Sequence, residues 1–280
     1  MPTLRFVVVD VFTDRPFAGN QLAVFTDARG VEPGLMQSLA QEIGFSETAF
    51  VLPPEQGGTV RVRIFTPAAE LPFAGHPMLG TAWVLAAPLQ LGVVELETGG
   101  GTVPVELDRD EAGELVFGRM VQPVPSVEAY PDAAALIAAV GVPESKLPVE
   151  RYDNGVQHTF VALGSTDEVT ALKPDFEALE ELGVFVSCFA GSGIHWKTRM
   201  FAPSTGIPED PATGSAAGPL AAHLARHALA PWGEWIEISQ GHEIGRPSTL
   251  FARAEGHDGA IERVLCGGRA VVVARGEFRV

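Results

Sequence analysis

The sequence predicts an α+β protein made of two pseudo-symmetric lobes, each a mostly antiparallel, barrel-like sheet around one central apolar helix. Three observations predict it. One motif occurs twice, as RIFTPAAELPFAGHPMLGTA over 63–82 and RMFAPSTGIPEDPATGSA over 199–216. Short strand patterns outnumber helical ones, and most are joined too tightly for parallel crossovers. Each half holds one run of small apolar residues without charge, which reads as a helix buried on every side.

The duplication is extensive. Arg63, Phe65, Pro67 and Pro72 match Arg199, Phe201, Pro203 and Pro208 at a constant offset. If two residues then drop out, His76-Pro77-x-x-Gly80-Thr81-Ala82 falls on Asp210-Pro211-x-x-Gly214-Ser215-Ala216. At the first offset Gly19-Asn20-Gln21 falls on Gly155-Val156-Gln157, and further on VELETG (94–99) resembles IEISQG (236–241). The repeat is far longer than a solenoid unit, so it marks two homologous lobes. They are expected at 1–124 and 125–280, with Pro123 and Pro125 as the link. The terminal strand, within 268–280, is left open between pairing with its own lobe and with the first.

In order along the chain, residues 4–12 are β-branched and apolar, a central strand. Pro16, Gly19 and Asn20 turn the chain into a strand over 21–26. Pro33 opens a helix to 43, with Leu35, Met36, Leu39, Ala40 and Ile43 on one face and Gly44 as its C-cap. Strands follow over 48–52 and 59–65, then the apolar helix 77–87, then strands 91–97, 102–107 and 114–119. The second half opens with a helix near 132–140. Strands at 156–163, 183–189 and 194–202 surround a helix at 175–183. The apolar helix 214–228 and strands 234–239, 248–254 and 268–274 finish the chain.

Composition bounds the function. The chain has 280 residues, 46% hydrophobic and 19% charged, enough to build a real core. Its net charge is −16 and no basic stripe is visible, so nucleic acid is not an expected partner. The N-terminus lacks a signal-peptide pattern and no apolar run is long enough to span a bilayer, so no membrane is expected and the cytoplasm is the expected location. Cys188 and Cys266 have no ligand-like spacing and read as free thiols.

Three ionisable residues stand out. Glu47 follows a helix end among Phe45, Ala49 and Phe50, where burial would raise its pKa toward the range of a general acid or base. His76 follows Gly75 at the entrance of an apolar helix, where free N–H groups favour an anion. Asp210 lies before the second apolar helix, whose start at Gly214 and Ser215 offers similar donors. Each also has a plain structural reading, as a strand-end charge, a capping histidine or a helix cap. Other patterns are set aside. His223-x-x-x-His227 lacks the glutamate of the metalloprotease helix. GSGIHWKT (191–198) carries Trp196 where a phosphate-binding loop needs glycine, and no G-x-S-x-G elbow is present.

The segments VDVFTDRPFAGNQLAVF, EIGFSETAFV, FTPAAELPFAGHPMLGTA and RMFAPSTGIPEDPATGSA together resemble the PhzF-like isomerase family, over essentially the whole chain and in order. That resemblance implies the diaminopimelate epimerase fold, with the active site in the cleft between lobes. It implies that Glu47 moves a proton between substrate carbons and that His76 and Asp210 line the same site. It also implies ligand contacts from Asn20, Ser46, Thr213, Gly214 and Ser215. The related epimerases use two cysteines as acid and base; this chain has neither in the corresponding loops. The expected reaction is therefore isomerisation of a small carboxylated metabolite, whose carboxylate sits on N–H groups near Gly75, Gly214 and Ser215. It needs no metal or organic cofactor. An epimerase or racemase of an amino or hydroxy acid, and a non-catalytic metabolite-binding homologue, are the alternatives. The resemblance also implies a homodimer.

Overall fold

The computed structural model describes residues 3–280. The chain divides into two compact units, Met1–Val121 with Gly267–Val280, and Gln122–Cys266.

The first unit contains β1 (Thr3–Val11), β2 (Asn20–Phe25), α1 (Pro33–Ile43), β3 (Glu47–Leu52), β4 (Val60–Phe65), β5 (Glu70–Leu71), α2 (Gly75–Leu89), β6 (Val93–Thr98), β7 (Gly101–Arg109) and β8 (Leu115–Gln122). The second contains β9 (Ser126–Ala129), α3 (Ala133–Val140), β10 (Glu150–Asp153), β11 (Gln157–Ala162), α4 (Thr166–Ala171), α5 (Phe176–Leu182), β12 (Val186–Ser192), β13 (His195–Ala202), β14 (Ile207–Asp210), α6 (Gly214–Arg226), β15 (Ile236–Gln240), β16 (Ser248–His257) and β17 (Ala260–Gly268). The last strand, β18 (Ala270–Arg279), returns to the first unit and pairs antiparallel along β1 from Arg279 opposite Thr3 to Ala270 opposite Val11.

The two units repeat one pattern of strand pairing. In the first, β1 is antiparallel to β2, β2 parallel to β3, β3 antiparallel to β4, and β4 antiparallel to β5 but parallel to β6, which is antiparallel to β7. In the second, β10 through β16 repeat each of these relations, with β14 in the place of β5. Two pairs in each unit are thus parallel within a mostly antiparallel sheet. They are the pairs whose strands are joined through helices, which alone give the length a parallel crossover requires.

The apolar runs form the central helices. From Gly75 to Val84 every residue of α2 is buried, and from Gly214 to Ala225 every residue of α6. In the first unit α1 lays Met36, Leu39 and Ala40 against Phe25, Phe50 and Phe65. Phe25 and Phe50 stack with centroids 4.7 Å apart. Burying such a side chain contributes about 1.5–3 kcal/mol. The second unit gathers Leu136, Val161, Leu179, Val186 and Phe201 into its own cluster. Helix α4 falls outside the sequence expectation although Ser165 caps it, accepting the Glu168 N–H.

Candidate active site

The shared pairing fixes which residues of the two copies correspond. Thr48 faces Phe65 across β3–β4, and Val186 faces Phe201 across β12–β13. Glu47 therefore corresponds to Phe185. On the next strands Ile64 faces Leu71 and Met200 faces Asp210, so Asp210 corresponds to Leu71. The two central helices begin at Gly75 and Gly214, which sets His76 against Ser215. The expected match of His76 to Asp210 is thus corrected. The chain between the paired residues is longer in the second copy, from Met200 to Asp210 against Ile64 to Leu71, and carries a turn at Pro203–Thr205. That turn shifts the register opposite to the deletion read from the sequence.

In the first unit five of the expected site residues come together. Glu47 is the first residue of β3 and His76 the second of α2. Their side chains are 13% and 4% exposed, and Glu47 Oε2 lies 3.5 Å from His76 Nε2. Burial pushes the Glu47 carboxyl up to about 7, against a lowering hydrogen bond from Ser46. The Ser46 hydroxyl oxygen lies 2.9 Å from Asn20 Oδ1 as well, so its one proton is shared between these two acceptors, and it ties the start of β2 to the turn before β3. Asn20 is buried because Gly19 takes a left-handed φ of 67° and runs close under Val11, where a Cβ would stand 2.3 Å from the carbonyl oxygen. Gly75 opens α2 beside His76.

The other four lie together in the second unit. The Thr213 hydroxyl donates to Asp210 Oδ2 at 2.6 Å, and Gly214 and Ser215 begin α6. Pro219 has no N–H to give the Ser215 carbonyl four residues back. Asn154 Nδ2 serves that carbonyl instead, at 2.9 Å. His158 Nε2 meets Ser215 Oγ at 3.0 Å, and burial lowers that imidazole to about 3, so it is neutral. Asn154, His158 and Gln240 were missed in the sequence. A signal for Gln240 was available: it occupies the buried phase of β15 with Ile236 and Ile238.

Both cysteines are free and buried, and burial raises their thiols well above the usual range, which suits packing rather than catalysis. The set-aside pair His223 and His227 does gain a carboxylate, from Glu150 on β10. His223 Nδ1 and His227 Nε2 each lie 3.1 Å from Glu150 Oε2. The Arg226 guanidinium donates to that same oxygen at 2.8 Å and supplies its countercharge. The cluster thereby ties α6 to β10. Among the described residues, no helix is long and apolar enough to cross a membrane.

Comparison with known proteins agrees with this architecture. The family model of phenazine biosynthesis-like proteins, PhzC-PhzF, matches residues 9–276. A trans-2,3-dihydro-3-hydroxyanthranilate isomerase of Pseudomonas aeruginosa is 49% identical over 97% of this chain and 98% of its own. One from Pseudomonas fluorescens is 47% identical over the same shares. Among solved structures, a PhzF-family phenazine biosynthesis protein of Bacillus anthracis has a TM-score of 0.87 and 25% identity, with all of both chains covered. A hydroxyproline epimerase of Agrobacterium vitis has a TM-score of 0.68 at 12% identity, covering 98% of this chain and 92% of that one, a likeness of fold alone. Fold, family model and full-length relatives agree: the chain belongs to the PhzC-PhzF family of phenazine biosynthesis-like proteins and is an isomerase.

Proposed function

We propose that the chain moves a proton between two carbons of a small carboxylated metabolite, with Glu47 as the single general acid and base. The observation that carries this reading is the Glu47 carboxyl, desolvated, 3.5 Å from the His76 imidazole, and raised to about 7. A group with that pKa is abundant as both acid and base near neutral pH, so one carboxyl can accept a proton and give it back. In the first step a substrate C–H bond breaks, its proton goes to Glu47, and its electron pair enters an adjacent unsaturated or carbonyl system. In the second, the O–H proton of Glu47 is delivered to another carbon of that system. His76 hydrogen-bonds the reacting ligand and tunes Glu47. Asn20 and Ser46 with the Gly75 N–H, and Asp210 with Thr213, Gly214 and Ser215, are the proposed substrate contacts. Helix-start N–H groups suit a carboxylate.

The substrate we propose is trans-2,3-dihydro-3-hydroxyanthranilate, which the Pseudomonas relatives are named for. A cytoplasmic homodimer is part of the proposal, and light scattering of the purified chain tests the dimer. The activity test is proton NMR with that compound in D₂O. Wild-type protein is expected to isomerise it, and Glu47→Gln is expected to lose at least 10³-fold of turnover, about 4 kcal/mol of barrier, while still binding it. Wild-type-like turnover by Glu47→Gln would sink the assignment of Glu47. No turnover by the wild type would sink the substrate.

A further inference from the structure

Gln240 makes hydrogen bonds through both ends of its buried amide. Its Oε1 accepts the Thr213 N–H at 3.1 Å and the Thr198 hydroxyl at 3.2 Å. Its Nε2 donates to the Asp210 carbonyl at 2.8 Å and to Thr213 Oγ1 at 2.9 Å. Two of these partners fix which way the amide faces. A backbone N–H only donates and a carbonyl only accepts, so the oxygen must point to Thr213 N and the nitrogen to Asp210 O. The consequence passes to Thr213. Its hydroxyl oxygen accepts from Gln240, so its one proton is directed at Asp210 Oδ2, 2.6 Å away. The amide, the hydroxyl and the carboxylate thus form a one-way chain of donors that ends on Asp210.

The backbone beside it is equally constrained. Gly241, the next residue, has φ 76°, and a Cβ there would lie 2.5 Å from the Pro211 carbonyl oxygen. The last residue of β15 thus hydrogen-bonds the loop of Asp210 and Pro211, and the residue just past it packs its backbone closely against the same loop. In the first copy the place of Asp210 is taken by Leu71. Arg61 faces Glu97 as Lys197 faces Ser239, so the place of Gln240 is taken by Thr98, whose hydroxyl donates to the Gly101 carbonyl instead. The donor chain exists only in the copy that has the aspartate to receive it.

We propose that Gln240 is a positioning residue: acting through Thr213, it holds the Asp210 carboxylate in one orientation, as a hydrogen-bond acceptor at Oδ2, for the reaction. The inference rests on the proposed function for its consequence in turnover, but its geometry is testable without substrate.

The experiment follows the Asp210 carboxyl by ¹³C NMR titration of the intact chain. Gln240→Met keeps the length of the side chain and removes its donors; Thr213→Val removes the relay, and Thr213→Ser restores it. Losing one donated hydrogen bond is expected to raise the midpoint of Asp210 by about 0.5–1 pH unit in the Met and Val variants, and not in Ser. With the proposed substrate, Gln240→Met is expected to raise KM about 10-fold with kcat changed less, and to add nothing further in an Asp210→Asn background. If Gln240→Met fails to fold, the Thr213→Val and Thr213→Ser pair decides. Unchanged Asp210 titration in the Met and Val variants, or full additivity with Asp210→Asn, overturns the proposal. A wild type without turnover overturns the proposed substrate and leaves the titration to judge Gln240.

Discussion

At the scale of the residue, Glu47 makes the pH dependence predictable. Its carboxyl is raised from 4.5 to about 7 because burial disfavours the charged form. If it begins the cycle as a base, kcat/KM rises with pH through about 7 and then levels, as measured by initial rates from pH 5 to 9. A profile flat across neutrality would remove Glu47 as the base. Stability has the opposite sign. Between about 4.5 and 7 the folded state holds a proton at Glu47 that the unfolded state has released, so stability falls as pH rises. The penalty is complete above 7 and absent below 4.5. Glu47→Gln is therefore expected to exceed the wild type by about 1–3 kcal/mol at pH 8 and by little at pH 4.5, in urea unfolding. A variant less stable than wild type at pH 8 would mean that the carboxylate is held by a cationic His76.

At the scale of the element, the two R-x-F motifs do the same job at different depths. Arg63 grips both oxygens of Glu70 at 2.6 Å and covers Phe65, and so pins β5, the short strand that leads to His76. Arg199 grips Glu209 at 2.9 and 2.7 Å, covers Phe201, and pins β14, which ends in Asp210. Burial separates them: the side chains of the first pair are 18% and 42% exposed, those of the second 9% and 7%. Arg199 also donates to the carbonyls of Val169, Thr170 and Leu172 at the end of α4. Removing one partner of a buried pair strands the other charge and here several carbonyls. Arg199→Met is expected to cost about 3–5 kcal/mol and Arg63→Met about 1 kcal/mol or less. Urea unfolding of both variants checks the order; equal losses would refute the argument from burial.

At the scale of the whole molecule, the sequence showed the duplication and much of its content, because glycine, proline and R-x-F positions mark turns and strand ends wherever they occur. Both buried helices were legible from their lack of charge, and Glu47 from its apolar neighbours. The motif sets His76 against Asp210, whereas the strand register sets Leu71 there. Pro-x-x-Gly matches in more than one register; the strand pairing, the two helix starts, and Glu70 and Glu209, each bound to its own arginine, agree on another. The return of β18 to β1 leaves no local trace in the sequence, because it joins the two ends of the chain.

The corrected correspondence bears on chemistry. Two similar units could carry two equivalent bases, as an enzyme that inverts a stereocentre by taking a proton from one face and giving one to the other would need. Here the place of Glu47 in the second copy is held by Phe185, beside the neutral His158. In the proposed reading the same carboxyl both removes and returns the proton. With its side chain only 13% exposed, that carboxyl is proposed to return part of what it took before solvent exchanges it. A substrate deuterated at the donor carbon and turned over in H₂O is therefore expected to keep a measurable fraction of its label at the acceptor carbon, read by mass spectrometry. Complete loss of label at the earliest turnover, with inversion at a stereocentre, would require a second base and would turn the assignment from one-carboxyl isomerisation to racemisation.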